Sequence, residues 1–183
     1  MKKIFWGLIF VFFNFTISIN NMSLGLIPDF AGYLLMLSGT KELLSESECF
    51  SKVRPILMIM FVLSLIFYVN DLLGIIVSAN EVLVILINGI LVVGSLYCTY
   101  MITSGIVDME SKMNIDLAAD KLMYKWKVKA MFGILGYLVI FIPILSLICI
   151  LVSIIFGLLY LIDFHHSKHY YEQAKLEALP DKG

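Results

Sequence analysis

Charge is what this 183-residue chain has least of: Asp, Glu, Lys and Arg make up only 15% of it, where a soluble domain carries about 25%. Proline is also scarce, with 4 residues, and cysteine scarcer, with 3. Cys49, Cys98 and Cys149 stand far apart without Cys-x-x-Cys spacing, which argues against a disulfide framework or a cysteine-held metal. Cys98 and Cys149 fall in apolar runs, where a thiol behaves as a small hydrophobe. The formal net charge is -1 and no basic stripe occurs, so a nucleic-acid binder is excluded. A Walker loop, a Gly-x-Ser-x-Gly elbow and a His-Glu-x-x-His pair are all missing, so neither an enzyme nor a cofactor is expected.

What is present is apolar, at 61% of residues, and it comes in blocks. The run 130–162 holds no ionisable carboxylate, amine or imidazole at all. Blocks of this kind are membrane spans. The expected fold is all-α, a polytopic helical bundle forming one membrane domain over 1–183. Six short transmembrane helices are expected over 4–19, 24–40, 56–70, 82–107, 130–143 and 146–162, arranged as three hairpins. Lys2 and Lys3 precede the first block but no small-x-small cleavage site follows, so that block is expected to stay as an uncleaved span.

The last two spans depend on Pro143. A single helix over 130–162 would be about 50 Å long against a hydrocarbon core of ~30 Å, so two helices turning near 142–146 fit better. Charge placement agrees. With six spans and a cytoplasmic N-terminus, all 13 Lys and Arg fall on the cytoplasmic side. The five-span alternative would leave Lys168, Lys175 and Lys182 outside.

Two cytoplasmic connectors, 41–55 and 108–129, and a tail over 163–183 complete the layout. In the second connector Ile115, Ala118, Ala119, Leu122 and Trp126 follow helical spacing, with Asp108, Glu110, Asp116 and Asp120 leading and Lys121, Lys125, Lys127 and Lys129 trailing. Acid first and base last suits a helix dipole, and an amphipathic helix along the inner leaflet is expected.

Pro28, Asp29, Phe30, Gly32 and Tyr33 form a Pro-Asp-Phe-x-Gly-Tyr segment. In this the chain resembles a group of small uncharacterised multi-pass membrane proteins of low-GC Gram-positive bacteria that carry such a segment after the first span. The resemblance implies a bacterial plasma membrane and no particular chemistry.

Candidate sites follow from polar residues in apolar company. Asp29 sits right after Pro28, where an acid suits a helix start, and intramembrane acids also mark sites. In the six-span layout Asp29, Asp71 and Glu81 are the external acids and no external base exists, so a rim that binds a cation or amine is one expectation. Asn88 shares a helical face with Ser95, Thr99 and Thr103, while Cys149, Ser153 and Gly157 form a small-residue stripe at i, i+4 and i+8. Both stripes suit close helix packing, with a polar transport path as the competing use and Asn88 as a ligand contact. His165 and His169, at i and i+4, are candidate metal ligands, against an interfacial tail with Tyr170 and Tyr171.

The function expected from this is a small-molecule transport component or ligand-binding membrane subunit. In size and span count the chain resembles the membrane subunits of energy-coupling vitamin importers, without their Ala-x-x-x-Ala docking pattern. The alternative is a non-catalytic membrane scaffold or sensor acting through the connectors. The expected partners are the lipid bilayer and a membrane protein or second copy, not nucleic acid.

Overall fold

The computed structural model describes residues 1–12, 16–19, 22–25, 28–73 and 81–177. Among these the order is α1 (Lys2–Phe12), β1 (Thr16–Ile19), β2 (Met22–Gly25), α2 (Asp29–Lys41), α3 (Glu48–Leu72), α4 (Glu81–Met113), α5 (Ala119–Leu138) and α6 (Pro143–Glu177). Three stretches are long and apolar enough to cross a bilayer: Glu48–Asn70, Leu86–Met113 and Pro143–Glu177. The others are shorter or more charged. At 11 and 13 residues, α1 and α2 reach about 17 and 20 Å, well under the ~30 Å hydrocarbon core.

The first departure from the sequence expectation lies in the block 4–19. Instead of one span, α1 stops at Phe12 and Thr16–Ile19 becomes a strand, antiparallel to Met22–Gly25 with Ile19 opposite Met22. Thr16, Ile17 and Ile19 are β-branched, and their χ1 stiffness favours a pleated strand over a helix. The second expected span, 24–40, is likewise divided between β2 and α2, because Pro28 cannot continue a helix backwards and instead starts one.

The segment α1–α2 is an antiparallel pair held by backbone contact. A Cβ on Gly7 would lie 2.6 Å from the Gly32 carbonyl oxygen, and one on Gly32 would lie 2.8 Å from that of Gly7. Gly39 repeats the pattern against Ile4, whose backbone nitrogen would be 2.8 Å away. Only residues without a side chain let the two helices come this near.

The first connector holds a turn, and the second is not the surface helix expected. Residues 42–46 make a turn, and the Ser47 hydroxyl accepts the Cys49 N–H at 3.2 Å just ahead of α3. In the second connector α4 continues to Met113 and α5 begins at Ala119 and runs on into apolar sequence. Asn114 (φ 53°) and Ala118 (φ 54°) adopt left-handed backbone that breaks the helix between them. The Glu110 carboxylate spans the break, accepting N–H bonds from Leu117 at 2.7 Å and Ala119 at 3.0 Å. Leu117, Ala119 and Leu122 are fully buried in the bundle core rather than turned toward an inner leaflet.

The block 130–162 does divide at Pro143. The turn, however, is 139–142, and α6 starts on the proline itself, whose missing N–H costs a first helical turn nothing.

Candidate functional site

The polar stripe of α4 is the centre of the described core. Each of its hydroxyls meets an aromatic side chain from a different helix. Ser95 hydrogen-bonds the Tyr33 hydroxyl of α2. Thr99 Oγ1 accepts the Trp126 indole N–H of α5 at 2.9 Å. Thr103 Oγ1 lies 2.9 Å from the hydroxyl of Tyr160 on α6, a fully buried tyrosine. Because Thr103 Oγ1 also donates to the Thr99 carbonyl at 2.8 Å, the tyrosine hydroxyl is left to donate to it. Asn88, expected on the same face, is instead exposed between exposed Leu86 and Ile90.

The second stripe faces α5. Ser153 Oγ donates to the Lys129 carbonyl at 3.1 Å, and Cβ atoms built on Gly133 and Gly136 would lie 3.3 Å from Ser153 Oγ and Cys149 Cβ. Gly157 leaves space for the aliphatic stem of Lys129, whose ammonium stands 3.9 Å from the centre of the Phe12 ring.

Charged groups collect at the other end of these helices. Lys125 pairs with the largely buried Asp163 at 2.6 Å. Ser167 Oγ donates to the Leu117 carbonyl at 2.5 Å, fixing α6 to the α4–α5 break. Lys168, also largely buried, lies 5.2 Å from the Phe5 ring. Lys3 pairs with Glu42 at 2.5 Å and holds that carboxyl below its ordinary range, chiefly by the hydrogen bond. Lys112 reaches the Glu46 carbonyl at 3.4 Å. Together α1, the 42–46 turn, the α4–α5 break and α6 form one charged end.

The expected acid rim is only partly in view. Asp29 opens α2 after Pro28 and is half-buried, beside Phe30, whose ring meets those of Phe61 and Tyr68. The side chains of Asp71 and Glu81, and with them their convergence on Asp29, lie outside the described residues. The rings of His165 and His169 meet edge to face, with centres 4.7 Å apart and Phe5 5.2 Å from His165. Among the described residues, however, no three metal-ligating side chains come together.

The sequence reading missed Tyr33, Trp126 and Tyr160 as partners of the stripe, since aromatic residues in an apolar run look like packing alone. It also missed the Lys125–Asp163 pair, which joins residues 38 positions apart. No protein-family model, curated protein or solved structure matches the chain.

Proposed function

We propose that the chain is a multi-pass protein of a bacterial plasma membrane that acts as a non-catalytic scaffold or sensor through its charged end. The observation that carries this is the use of the α4 stripe. Its three hydroxyls are taken up by Tyr33, Trp126 and Tyr160, so the described core holds its helices together with the groups a transport path would need. The polar chemistry left over lies at the charged end. There α6 continues from Asp163 to Glu177, about 22 Å of helix beyond the apolar run.

In this reading the N-terminus is cytoplasmic, and α1–α2, α3–α4 and α5–α6 are three hairpins rooted at the cytoplasmic face. Positive charge supports the orientation, since Lys2, Lys3, Lys52, Arg54, Lys112, Lys125 and Lys168 all lie toward that end. The six-pass count rests on this pairing into hairpins and exceeds the three stretches that meet the length requirement alone.

Native mass spectrometry of the nanodisc-held full chain tests the proposal. A co-purifying protein that Lys121→Glu and Lys127→Glu release, with the fold retained, supports it. A small molecule retained by the wild type and lost on Asp29→Asn would overturn it in favour of the transport-component reading.

A further inference from the structure

The turn between α5 and α6 is made of residues that turns avoid. From Leu138 to Leu145 the sequence is Leu-Val-Ile-Phe-Ile-Pro-Ile-Leu, without the Gly, Asn, Asp or Ser that a water-facing turn uses. These side chains are not folded inward either: Leu138 is 70% exposed, Phe141 85% and Ile144 77%. A projecting cap of this kind is far more apolar than the surface of a soluble protein.

Its backbone is treated differently from that of an ordinary loop. The Val139 N–H bonds the Leu135 carbonyl at 3.0 Å, the Ile142 N–H bonds the Val139 carbonyl at 2.8 Å, and the Ser146 N–H bonds the Ile142 carbonyl at 3.0 Å. Pro143 removes one of the donors that open α6. The hydroxyl of Ser146, itself buried, turns back to the Gly136 carbonyl at 2.9 Å, one of the acceptors freed where α5 ends. These bonds satisfy the Val139, Ile142 and Ser146 N–H groups within the chain, which lowers the cost of holding non-helical backbone at membrane depth.

Depth follows from α4. A Cβ on Gly89 would stand 3.1 Å from the Tyr137 hydroxyl, so the end of α5 is level with Gly89. Beyond that level α4 runs eight more residues to Glu81, about 12 Å. The turn therefore sits below the acidic end of α4. At the opposite end the hairpin is fixed by the Lys125–Asp163 pair, and Pro143 to Ile162, which separate the turn from Asp163, amount to about 30 Å of apolar helix.

We infer that the α5–α6 hairpin crosses the hydrocarbon from the charged end without emerging: its turn stays within the acyl-chain layer at the far side, so that its apolar cap is covered by lipid and not by water. This rests on the membrane reading above and refines its third hairpin, whose turn never reaches water.

Spin labels test it in the full chain reconstituted in phosphatidylcholine vesicles, with Cys49, Cys98 and Cys149 replaced by alanine. Labels go in at Phe141→Cys, at Ile144→Cys as a second position on the cap, at Ile90→Cys on the exposed face of α4, and at His169→Cys. Expected is strong relaxation by oxygen and little by an aqueous nickel chelate at 141, 144 and 90, with the ratio reversed at least tenfold at 169. If 90 sees lipid but 141 and 144 see the chelate as 169 does, the hairpin emerges and the inference is overturned while the membrane reading stands. If 90 also sees the chelate, the membrane reading itself has failed. Labels at 141 and 144 that neither agent relaxes would mean that protein covers the cap, which equally overturns it.

Discussion

Two regions of this molecule solve the same problem in different ways. In the membrane layout proposed above, apolar side chains give helices no reason to leave lipid for one another, so helices associate through close packing or through hydrogen bonds. The α1–α2 seam uses the first: Gly7, Gly32 and Gly39 bring backbone against backbone, and no side-chain bond is needed. The α4 stripe uses the second, with Ser95, Thr99 and Thr103 each bonded to an aromatic side chain on another helix. The difference lies in how each fails. A seam built on absent atoms tolerates almost no addition, whereas a hub of separate bonds loses one increment at a time.

The comparison breaks most visibly at Gly7. Gly7→Leu puts a side chain where even a Cβ would stand 2.6 Å from the Gly32 carbonyl and 2.7 Å from the Met36 side chain. Both neighbours belong to α2, and a backbone carbonyl cannot step aside. A loss of about 3 kcal/mol or more is expected, at the upper end of what overpacking costs. Unfolding in mixed detergent micelles would show it as a marked drop in stability. A Gly7→Leu protein as stable as the wild type would mean that the seam is not a close contact at all.

Tyr160→Phe should be milder. It removes one hydroxyl from the hub, and bonds of this type between membrane helices average about 0.6 kcal/mol, with ~1.7 as the upper end. Adding Thr103→Val should then cost little more, because both changes delete the same bond. Trp126→Phe should cost a similar small amount through Thr99. If any of these matched Gly7→Leu, the hub would be a single cooperative unit and the contrast with the seam would be lost.

The two regions also differ in how far the sequence reveals them. Hydroxyls at 95, 99 and 103 recur at helical spacing in an apolar run, so the face was legible, but its partners were not, because nothing in Tyr33, Trp126 or Tyr160 distinguishes a hydrogen-bond partner from a packed ring. The glycine seam left no pattern, since Gly7 and Gly32 matter only once α1 and α2 are set side by side. The break at Pro143 was legible because the missing N–H and fixed φ act locally. Thr16–Ile19 went unrecognised although Thr-Ile-Ser-Ile alternates, because four residues at the end of an apolar block are too few to outweigh the reading of a span. In the 108–129 segment the acid-to-base order is real, yet Glu110 uses its carboxylate on Leu117 and Ala119, seven and nine residues on, a tertiary bond that no local pattern encodes. Of the candidate acids, Asp29 was legible as a helix start because proline fixes that position.

The smallest expected effect tests whether charge has any large share in the seam. Lys3 and Glu42 close its charged end at 2.5 Å, and both side chains are about half exposed, at 47% and 48%. Exposed pairs contribute about 0–1 kcal/mol, so Lys3→Met should lower stability by less than a third of the Gly7→Leu effect. Its pH dependence has a definite sign. The bond from Lys3 holds the Glu42 carboxyl below its ordinary value of 4.5, so the unfolded chain binds the proton more readily than the folded one. Stability from the pair is then complete above about pH 5 and fades as the pH falls through the lowered pKa of the folded state. The difference between wild type and Lys3→Met should therefore be visible at pH 7, shrink progressively below pH 4.5, and shrink also in high salt, where an exposed pair is screened. A difference that persists unchanged in acid would assign the loss to the packing of the Lys3 stem against Gly39, whose built Cβ lies 3.2 Å from Lys3 Cβ, and would return even this contact to the close-packed side of the comparison.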